Sequence, residues 1–159
     1  PHDQSSAASD VYKRQVDVIG SDHAPHTKEE KERPYPSSPS GMPGVQTSLP
    51  LLLDHVNRGR LTLERVVDLT AAGPQRIFGI MGKGRIAVGY DADLVLVDLN
   101  ADRVITNEWI ESKCGWTPFN DTKVRGWPIT TILRGKIAMQ DDEILGEPLG
   151  AAVRFFETT

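Results

Sequence analysis

The chain has 159 residues, 38% of them hydrophobic, with a formal net charge of −4 and no block rich in Lys or Arg, which argues against nucleic acid or anionic membrane as a partner. No apolar run approaches the ~20 residues of a membrane span, and the single cysteine excludes an internal disulfide framework and fits a reducing cytosol. One domain fits this length, which falls short of the about 250 residues of most barrel enzymes.

Residues 1–15 show no periodicity, so we expect them to be a non-native or disordered leader and exclude them from the fold. The short β-branched run at residues 16–19 comes next and is followed by Gly20, which predicts a strand. The heptad GSDHAPH, at residues 20–26, therefore begins where a buried strand is expected to end.

Residues 27–44 hold four of the eleven prolines of the chain. A loop this long in a compact domain is usually functional or disordered. A helix is predicted next, capped by Thr47 or Ser48 and ended by Gly59. Its apolar residues fall on one face at helical spacing, namely Leu49, Leu52, Leu53 and Val56.

A second helix is predicted from the cap residue Thr62 to a stop at Gly73-Pro74, with one more helical turn beyond it. From Gly82 the pattern changes to glycine-rich turns between short β runs. The predicted strands lie at residues 94–97, 103–106, 130–139 and 143–145, with turns at Arg134-Gly135 and Asp141-Asp142. The sequence therefore divides into residues 16–81 and residues 82–159.

The chemistry of the heptad centres on Asp22 and His26. Asp22 has a carboxylate that can ligate zinc at ~2.0–2.2 Å and can accept a proton from a water molecule that the metal acidifies. His26 follows a stiffening Pro25 and can hold a substrate carboxylate. Spacing alone favours a polar turn over a metal site, because the pattern Asp-His-x-x-His often occurs by chance. A metal site also needs at least three protein ligands.

Few other residues are candidates for metal ligands. His55 lies beside the apolar face of the predicted helix, which favours a partly exposed structural histidine. Cys114 stands alone and is expected to be a buried, inert thiol. The three tryptophans, Trp109, Trp116 and Trp127, are expected to serve packing.

Longer segments carry a resemblance to a known family. VIGSDHAPHTKEEK followed by SGMPGVQTSLPLLL closely resembles the dihydroorotases of the bacterial type, which also occur in the animal multifunctional pyrimidine protein. GKGRIAVGYDADLVLVD looks like the returning strands of the amidohydrolase superfamily, and GWTPFNDTKVRGWPITTILRGKI is similar to the C-terminal dihydroorotase signature. The resemblance covers residues 16–156. Hydantoinases and allantoinases share the Ser-Asp-His opening but usually lack the Ala-Pro-His that follows here.

The resemblance implies an α/β fold, the C-terminal piece of a metal-dependent TIM-barrel amidohydrolase with part of its small β-sandwich. Residues 16–81 would supply the last barrel strand, the substrate loop and the final barrel helices. Residues 82–159 would supply the C-terminal part of the sandwich and a tail. The implied activity is the reversible cyclisation of N-carbamoyl-L-aspartate to L-dihydroorotate in pyrimidine biosynthesis, with one or two Zn²⁺ ions in each intact site.

Carried over by position, the resemblance assigns both zinc ligation and proton transfer to Asp22, as base in hydrolysis and acid in ring closure. His26 would bind the substrate, and the backbone around Ser40 and Gly41 would close over its ring. The remaining family ligands are a His-x-His, a carboxylated lysine and two histidines, and they belong to an upstream part that this chain does not contain. A substrate-binding Arg and Asn belong to the same part. We therefore expect the 159-residue chain alone to be unstable and inactive.

Two alternatives remain open. The first is another cyclic amidohydrolase, such as a hydantoinase or an allantoinase. The second is a non-catalytic dihydroorotase-like scaffold for aspartate transcarbamoylase, against which the retained Asp22 and His26 argue mildly. The resemblance also implies a small-molecule substrate, a cytoplasmic location, and a homodimer or a complex with aspartate transcarbamoylase.

Overall fold

The computed structural model describes residues 16–156, so the leader predicted at residues 1–15 lies outside the described residues. Helices come first within that range: α1 (Lys28–Lys31), α2 (Ser48–Asn57), α3 (Leu63–Val67), a π-helical turn (Asp68–Ala72) and α4 (Gly73–Phe78). Strands follow: β1 (Leu94–Ile105), β2 (Thr122–Leu133), β3 (Lys136–Gln140) and β4 (Glu143–Ile144), with a 3-10 helix (Asn107–Trp109) after β1. The predicted change from helices to strands is confirmed, whereas the division into two domains stays a prediction.

The predicted strand at residues 16–19 does not form within the described part of the chain. A β-strand requires a neighbouring strand to complete its hydrogen bonds, and these residues pair with none of those described. The backbone N–H of Ile19 donates instead to the carbonyl oxygen of Leu69 at 3.1 Å. This hydrogen bond ties the segment to the π-helical turn.

Helix α2 has the apolar face that its spacing predicts. Leu52 and Leu53 are buried, and Leu49 and Val56 are half-buried and pack against the cluster that contains Leu52. The face forms because positions three and four residues apart lie on the same side of a helix. The helix therefore buries its apolar side in the way that the sequence predicts.

The start of α2 differs from the prediction. Neither Thr47 nor Ser48 accepts a hydrogen bond from the first helical turn. Both hydroxyls donate instead to the carbonyl oxygen of Gly44, at 3.3 and 2.6 Å. Pro50 lies in the first turn, where its missing N–H leaves no helical hydrogen bond unmade. The helix start is thus tied to the preceding loop.

The predicted stop at Gly73-Pro74 is wrong. Thr62 caps α3 as predicted, since its Oγ1 accepts from the backbone N–H of Arg65 at 3.1 Å. The chain then passes through the π-helical turn and continues as α4 to Phe78. Pro74 is the second residue of α4, where a missing N–H is tolerated. The wider turn before it lets the helical path continue past a proline.

The four strands form one antiparallel sheet in the order β1-β2-β3-β4. Its last two turns are those that the sequence predicts. Arg134 and Gly135 have φ angles of 49° and 78°, and Asp141 and Asp142 have φ angles of 50° and 68°. Two successive positive φ angles define the tight turn whose twist matches that of a β-hairpin. The positions of both hairpin turns are therefore those that the turn residues predict.

The core of the described residues comprises two small clusters, Leu52 with Leu61 and Val66, and Ile105 with Val124 and Trp127. Helix α2 lies against the sheet between them and is fixed by polar contacts. Asp54 Oδ1 accepts from the backbone N–H of Arg125 at 3.2 Å. Asn57 Nδ2 donates to the carbonyl oxygens of Arg125 and Leu99, at 2.8 and 3.0 Å. One helix thus joins β1 and β2 to the segments that precede the sheet.

Several large apolar side chains of the sheet remain exposed, namely Val95, Leu96, Val104, Ile137 and Ile144. Exposed apolar groups of this size favour association with other surfaces. The exposure is consistent with low stability of the chain in isolation, which stays a prediction. Among residues 16–156, no helix has the length and apolar character needed to cross a membrane.

Close contact between α2 and β2 depends on Gly126. A Cβ at this position would lie 2.7 Å from Leu53 Cβ, and the residue has a φ of 103°. We expect Gly126→Ala to lower the free energy of unfolding by about 1–3 kcal/mol from overpacking, with a similar amount from backbone strain. The measurement is thermal denaturation of a soluble protein that contains residues 16–156.

Gly135→Ala is the matched control for that experiment. Gly135 has a φ of 78°, but a Cβ there would meet no atom within 4 Å. It therefore reports backbone strain alone, at about 1–2 kcal/mol. Equal destabilisation by the two substitutions would contradict a packing role for Gly126.

Candidate active site

The GSDHAPH segment and the end of the long loop lie side by side. His23 and Met42 form an isolated parallel β-bridge, and the backbone N–H of Ala24 donates to the carbonyl oxygen of Met42 at 3.0 Å. The two residues of the bridge are separated by a proline-rich loop. The structure therefore brings together the two segments that carry the candidate site residues.

Asp22 occupies a strained backbone position in this segment. Its φ is 45°, in the left-handed region, which costs most residues about 1–2 kcal/mol but is tolerated best by Asp and Asn. Its side chain is exposed, and its carboxylate has no hydrogen-bond or ion-pair partner among the described residues. An observed backbone outlier at a charged side chain supports a hypothesis of function.

Two glycines allow the loop to approach the segment closely. A Cβ on Gly41 would lie 2.7 Å from Ala24 Cβ, and Gly41 has a φ of 95°. A Cβ on Gly44 would lie 2.7 Å from the carbonyl oxygen of Ser21. Ser40, the neighbour of Gly41, is exposed. The predicted substrate loop is thus held against the heptad by backbone contacts that larger residues would disrupt.

His23 links the heptad to the start of α2. Its Nδ1 accepts from the backbone N–H of Gly44 at 3.1 Å and from that of Val45 at 3.4 Å. A ring nitrogen that accepts these hydrogen bonds carries no proton. The structural role that the sequence suggests for His23 agrees with these contacts.

His26 is held at both its side chain and its backbone. Its Nδ1 lies 3.4 Å from Glu30 Oε2, one helical turn further along the chain. Its carbonyl oxygen accepts from the indole Nε1 of Trp116 at 2.6 Å. The expectation that Trp116 serves packing alone is therefore incomplete. Trp116, 90 positions further along the chain, thus holds the backbone of His26, and Glu30 lies beside its side chain.

Glu30 also belongs to a capping box at the start of α1. Its Oε2 accepts from the backbone N–H of Thr27 at 3.0 Å, and Thr27 Oγ1 accepts from the backbone N–H of Glu30 at 3.3 Å. The hydrogen bond from the Thr27 backbone lowers the pKa of the Glu30 carboxyl. The sequence pattern Thr-x-x-Glu carries this signal, and it would have identified Glu30 as a structured neighbour of His26.

Asp22 has the donor chemistry that zinc takes, since a carboxylate oxygen is a common zinc ligand. Within residues 16–156, no group of three His, Cys, Asp or Glu side chains converges on one point. His55 is half-buried on α2, where burial lowers the pKa of its imidazole. The Cys114 thiol donates to Ser112 Oγ at 3.4 Å. The described residues thus do not complete a set of three metal ligands around Asp22.

The chain matches the model of the amidohydrolase family over residues 4–138, and it belongs to that family. It is similar to the dihydroorotase of Pyrococcus abyssi, with 49% identity over 138 residues, which are 87% of this chain and 33% of that protein. It is also similar to the dihydroorotase of Halobacterium salinarum, with 48% identity over 129 residues, 81% of this chain and 30% of that protein.

Among solved structures, the chain resembles an L-hydantoinase (dihydropyrimidinase) from Arthrobacter aurescens, with 35% identity and a TM-score of 0.84. That match covers 89% of this chain and 32% of the hydantoinase. The chain therefore spans about a third of the length of these relatives. The likeness confirms the predicted α/β amidohydrolase fold, of which the described residues form one part. The family match begins at residue 4, and the leader assignment of residues 1–15 stays a prediction.

Proposed function

We propose that this chain forms the C-terminal part of a dihydroorotase, called the parent enzyme below, which interconverts L-dihydroorotate and N-carbamoyl-L-aspartate in de novo pyrimidine biosynthesis. The observation that carries the proposal is the bridge between His23 and Met42, which joins the two segments that resemble dihydroorotases. The identity of 48–49% to two dihydroorotases supports it.

Asp22 is the proposed proton carrier. In hydrolysis it acts as a base that takes a proton from the attacking water, and that proton passes to the amide nitrogen as the ring C–N bond breaks. In ring closure it acts as an acid that returns a proton to the leaving oxygen, which departs as water while the nitrogen loses its proton. The amidohydrolase family is generally metal-dependent, and Asp22 is the residue of this chain that would hold the metal. We propose Zn²⁺, one or two ions for each intact site, which when bound polarises the carbonyl and acidifies the attacking water. The remaining ligands would come from outside residues 16–156.

His26 is the proposed anchor for the substrate carboxylate. Glu30 lies beside Nδ1 of His26, so a proton on that nitrogen gains a charged partner. In the doubly protonated ring, the opposite nitrogen Nε2 also carries a proton and would donate a hydrogen bond to an anionic group on the substrate. The exposed Ser40 and its neighbour Gly41 are proposed to contact the substrate ring through their backbone.

A ring-amide hydrolase that acts on hydantoins is the second candidate, because the similar solved structures are hydantoinases. The two functions differ in the carboxylate that His26 would bind. The parent enzyme, loaded with zinc, should therefore be assayed with L-dihydroorotate, N-carbamoyl-L-aspartate, allantoin and a 5-substituted hydantoin without a carboxylate. We expect kcat/KM to favour dihydroorotate over the hydantoin by about 100-fold or more.

The variant His26→Gln tests whether His26 binds the substrate carboxylate. We expect it to lower kcat/KM for dihydroorotate more than for the ring that lacks the carboxylate, because only the first substrate loses an anchor. A preference for the hydantoin in the unmodified enzyme would overturn the proposal in favour of a hydantoinase. A folded protein that turns over none of these compounds in the presence of zinc and binds aspartate transcarbamoylase would favour the scaffold.

The parent enzyme is proposed to act in the cytoplasm. The single cysteine of this chain fits that reducing environment, in which disulfides are rare. The small-molecule substrate is its principal proposed partner. Assembly as a homodimer, or with aspartate transcarbamoylase, is proposed from the resemblance to dihydroorotases. Size-exclusion chromatography of the parent enzyme with and without added transcarbamoylase distinguishes these two assemblies.

A further inference from the structure

Lys31 holds the loop that carries Ser40 and Gly41. It is the last residue of α1 and is half-buried. Its Nζ donates to the carbonyl oxygen of Pro39 at 2.7 Å and to that of Gly41 at 3.1 Å. Ser38 Oγ donates in return to the carbonyl oxygen of Lys31 at 2.9 Å. These three hydrogen bonds attach this stretch of the loop to a helical residue seven to ten positions earlier in the chain.

The contact with Pro39 fixes the direction of the next backbone N–H. In a trans peptide the N–H points opposite to the carbonyl of the preceding residue. Because the Pro39 carbonyl faces the Lys31 ammonium, the N–H of Ser40 faces away from it. The Ser40 N–H therefore points to the side of the loop opposite the Lys31 ammonium, and the residue as a whole is exposed.

The charge of Lys31 is directed at the loop backbone. Its ammonium forms no ion pair with a carboxylate among the described residues, and hydrogen bonds from a charged donor are stronger than those between neutral groups. On the other side of the loop, the backbone N–H of Ala24 donates to the carbonyl oxygen of Met42 at 3.0 Å. The Ser40–Gly41 backbone is thus held between α1 and the heptad.

We propose that Lys31 is a positioning residue that sets substrate affinity by keeping the Ser40–Gly41 backbone in its binding shape. The inference rests on the proposed function, because it takes that backbone as a substrate contact. Lys31 touches no reacting atom in this scheme. Its removal should therefore weaken binding in the ground state and the transition state alike, which raises KM more than it lowers kcat.

The test is steady-state kinetics of Lys31→Met in the parent enzyme. We expect KM for dihydroorotate to rise by about tenfold to 100-fold, with a smaller change in kcat. Lys31→Arg should recover part of the affinity, because a guanidinium also donates to two carbonyls. Lys28→Met is the matched control, since it removes the same charge from the same helix at a residue with no hydrogen bond to the loop. We expect Lys28→Met to leave KM unchanged.

Amide hydrogen exchange provides a readout that does not depend on the substrate. Residues 39–42 should exchange faster in Lys31→Met than in Lys28→Met or the unmodified enzyme. Equal KM values and equal exchange in both methionine variants would overturn the proposal. A drop in kcat with unchanged KM would overturn it as well, because that pattern indicates a smaller active fraction or an interaction made only in the transition state, not a role in substrate affinity. If the parent enzyme prefers a hydantoin, the proposed function fails, and the KM for that ring together with the exchange still tests Lys31.

Discussion

Asp22→Asn in the zinc-loaded parent enzyme should lower kcat for dihydroorotate hydrolysis by about 10²–10⁴-fold, the usual contribution of a general acid or base. The amide cannot take or return the proton that the proposed mechanism assigns to Asp22. The loss should appear in both directions of the reaction, because the same group acts as base in hydrolysis and as acid in ring closure. Absorbance assays of dihydroorotate formation and consumption measure both rates.

Asparagine is the substitution that separates chemistry from folding at this position. Asp22 has a φ of 45°, and Asn tolerates that region about as well as Asp, whereas Ala would add backbone strain of about 1–2 kcal/mol. Asp22→Asn should therefore melt close to the unmodified enzyme, and zinc content should be measured alongside. Asp17→Asn is the matched control, since Asp17 is an exposed carboxylate five residues earlier in the same segment. A near-normal rate in Asp22→Asn would remove Asp22 from the chemistry.

The parts of the fold that the sequence predicts are those set by residues close together in the chain. The apolar face of α2 follows from the spacing of Leu49, Leu52, Leu53 and Val56. The hairpin turn at Arg134 and Gly135 follows from Gly135, which adopts a positive φ without strain. The cap at Thr62 follows from its hydroxyl and the N–H three residues later. Each signal needs only a few neighbouring residues.

The parts that the sequence does not predict depend on contacts between distant residues. Whether residues 16–19 form a strand depends on a partner strand, which their own β-branched pattern does not reveal. Helix α4 continues through Pro74 because a π-helical turn comes before it. The residue pattern does not predict that turn. Local propensity is overridden in both cases by structure elsewhere in the molecule.

The candidate site shows the same division. Asp22 and His26 were identifiable from one heptad and its resemblance to a family. Trp116 and Lys31 were not identifiable in this way, because both act through hydrogen bonds to backbone carbonyls. Trp116 lies 90 residues from His26, and Lys31 ends a four-residue helix. Every residue has a backbone carbonyl, so a sequence motif does not reveal which carbonyl accepts a hydrogen bond. Residues that position a site are therefore harder to predict than residues that carry its chemistry.

Gly41→Ala should lower kcat/KM for dihydroorotate by about 100-fold, the usual cost of displacing a binding group by about 1 Å. The added Cβ would lie 2.7 Å from Ala24 Cβ and 2.8 Å from the Ala24 carbonyl oxygen, closer than real Cβ contacts occur. The φ of 95° adds backbone strain for any residue with a Cβ. The loop must then move away from Ala24, which weakens the hydrogen bond to Met42 and shifts Ser40. Steady-state kinetics and hydrogen exchange of residues 39–42 measure the two effects.

Gly20→Ala is the matched control, because it adds the same methyl group to the neighbouring segment. A Cβ on Gly20 would meet no atom within 4 Å, and Gly20 does not have a positive φ. We expect its kinetics to match those of the unmodified enzyme, which shows that the methyl group itself is harmless in this region. Thermal denaturation should show that Gly41→Ala remains folded, since the contact lies in a loop outside both core clusters. Normal KM and normal exchange in folded Gly41→Ala would mean that the approach of the loop to Ala24 does not shape the substrate site.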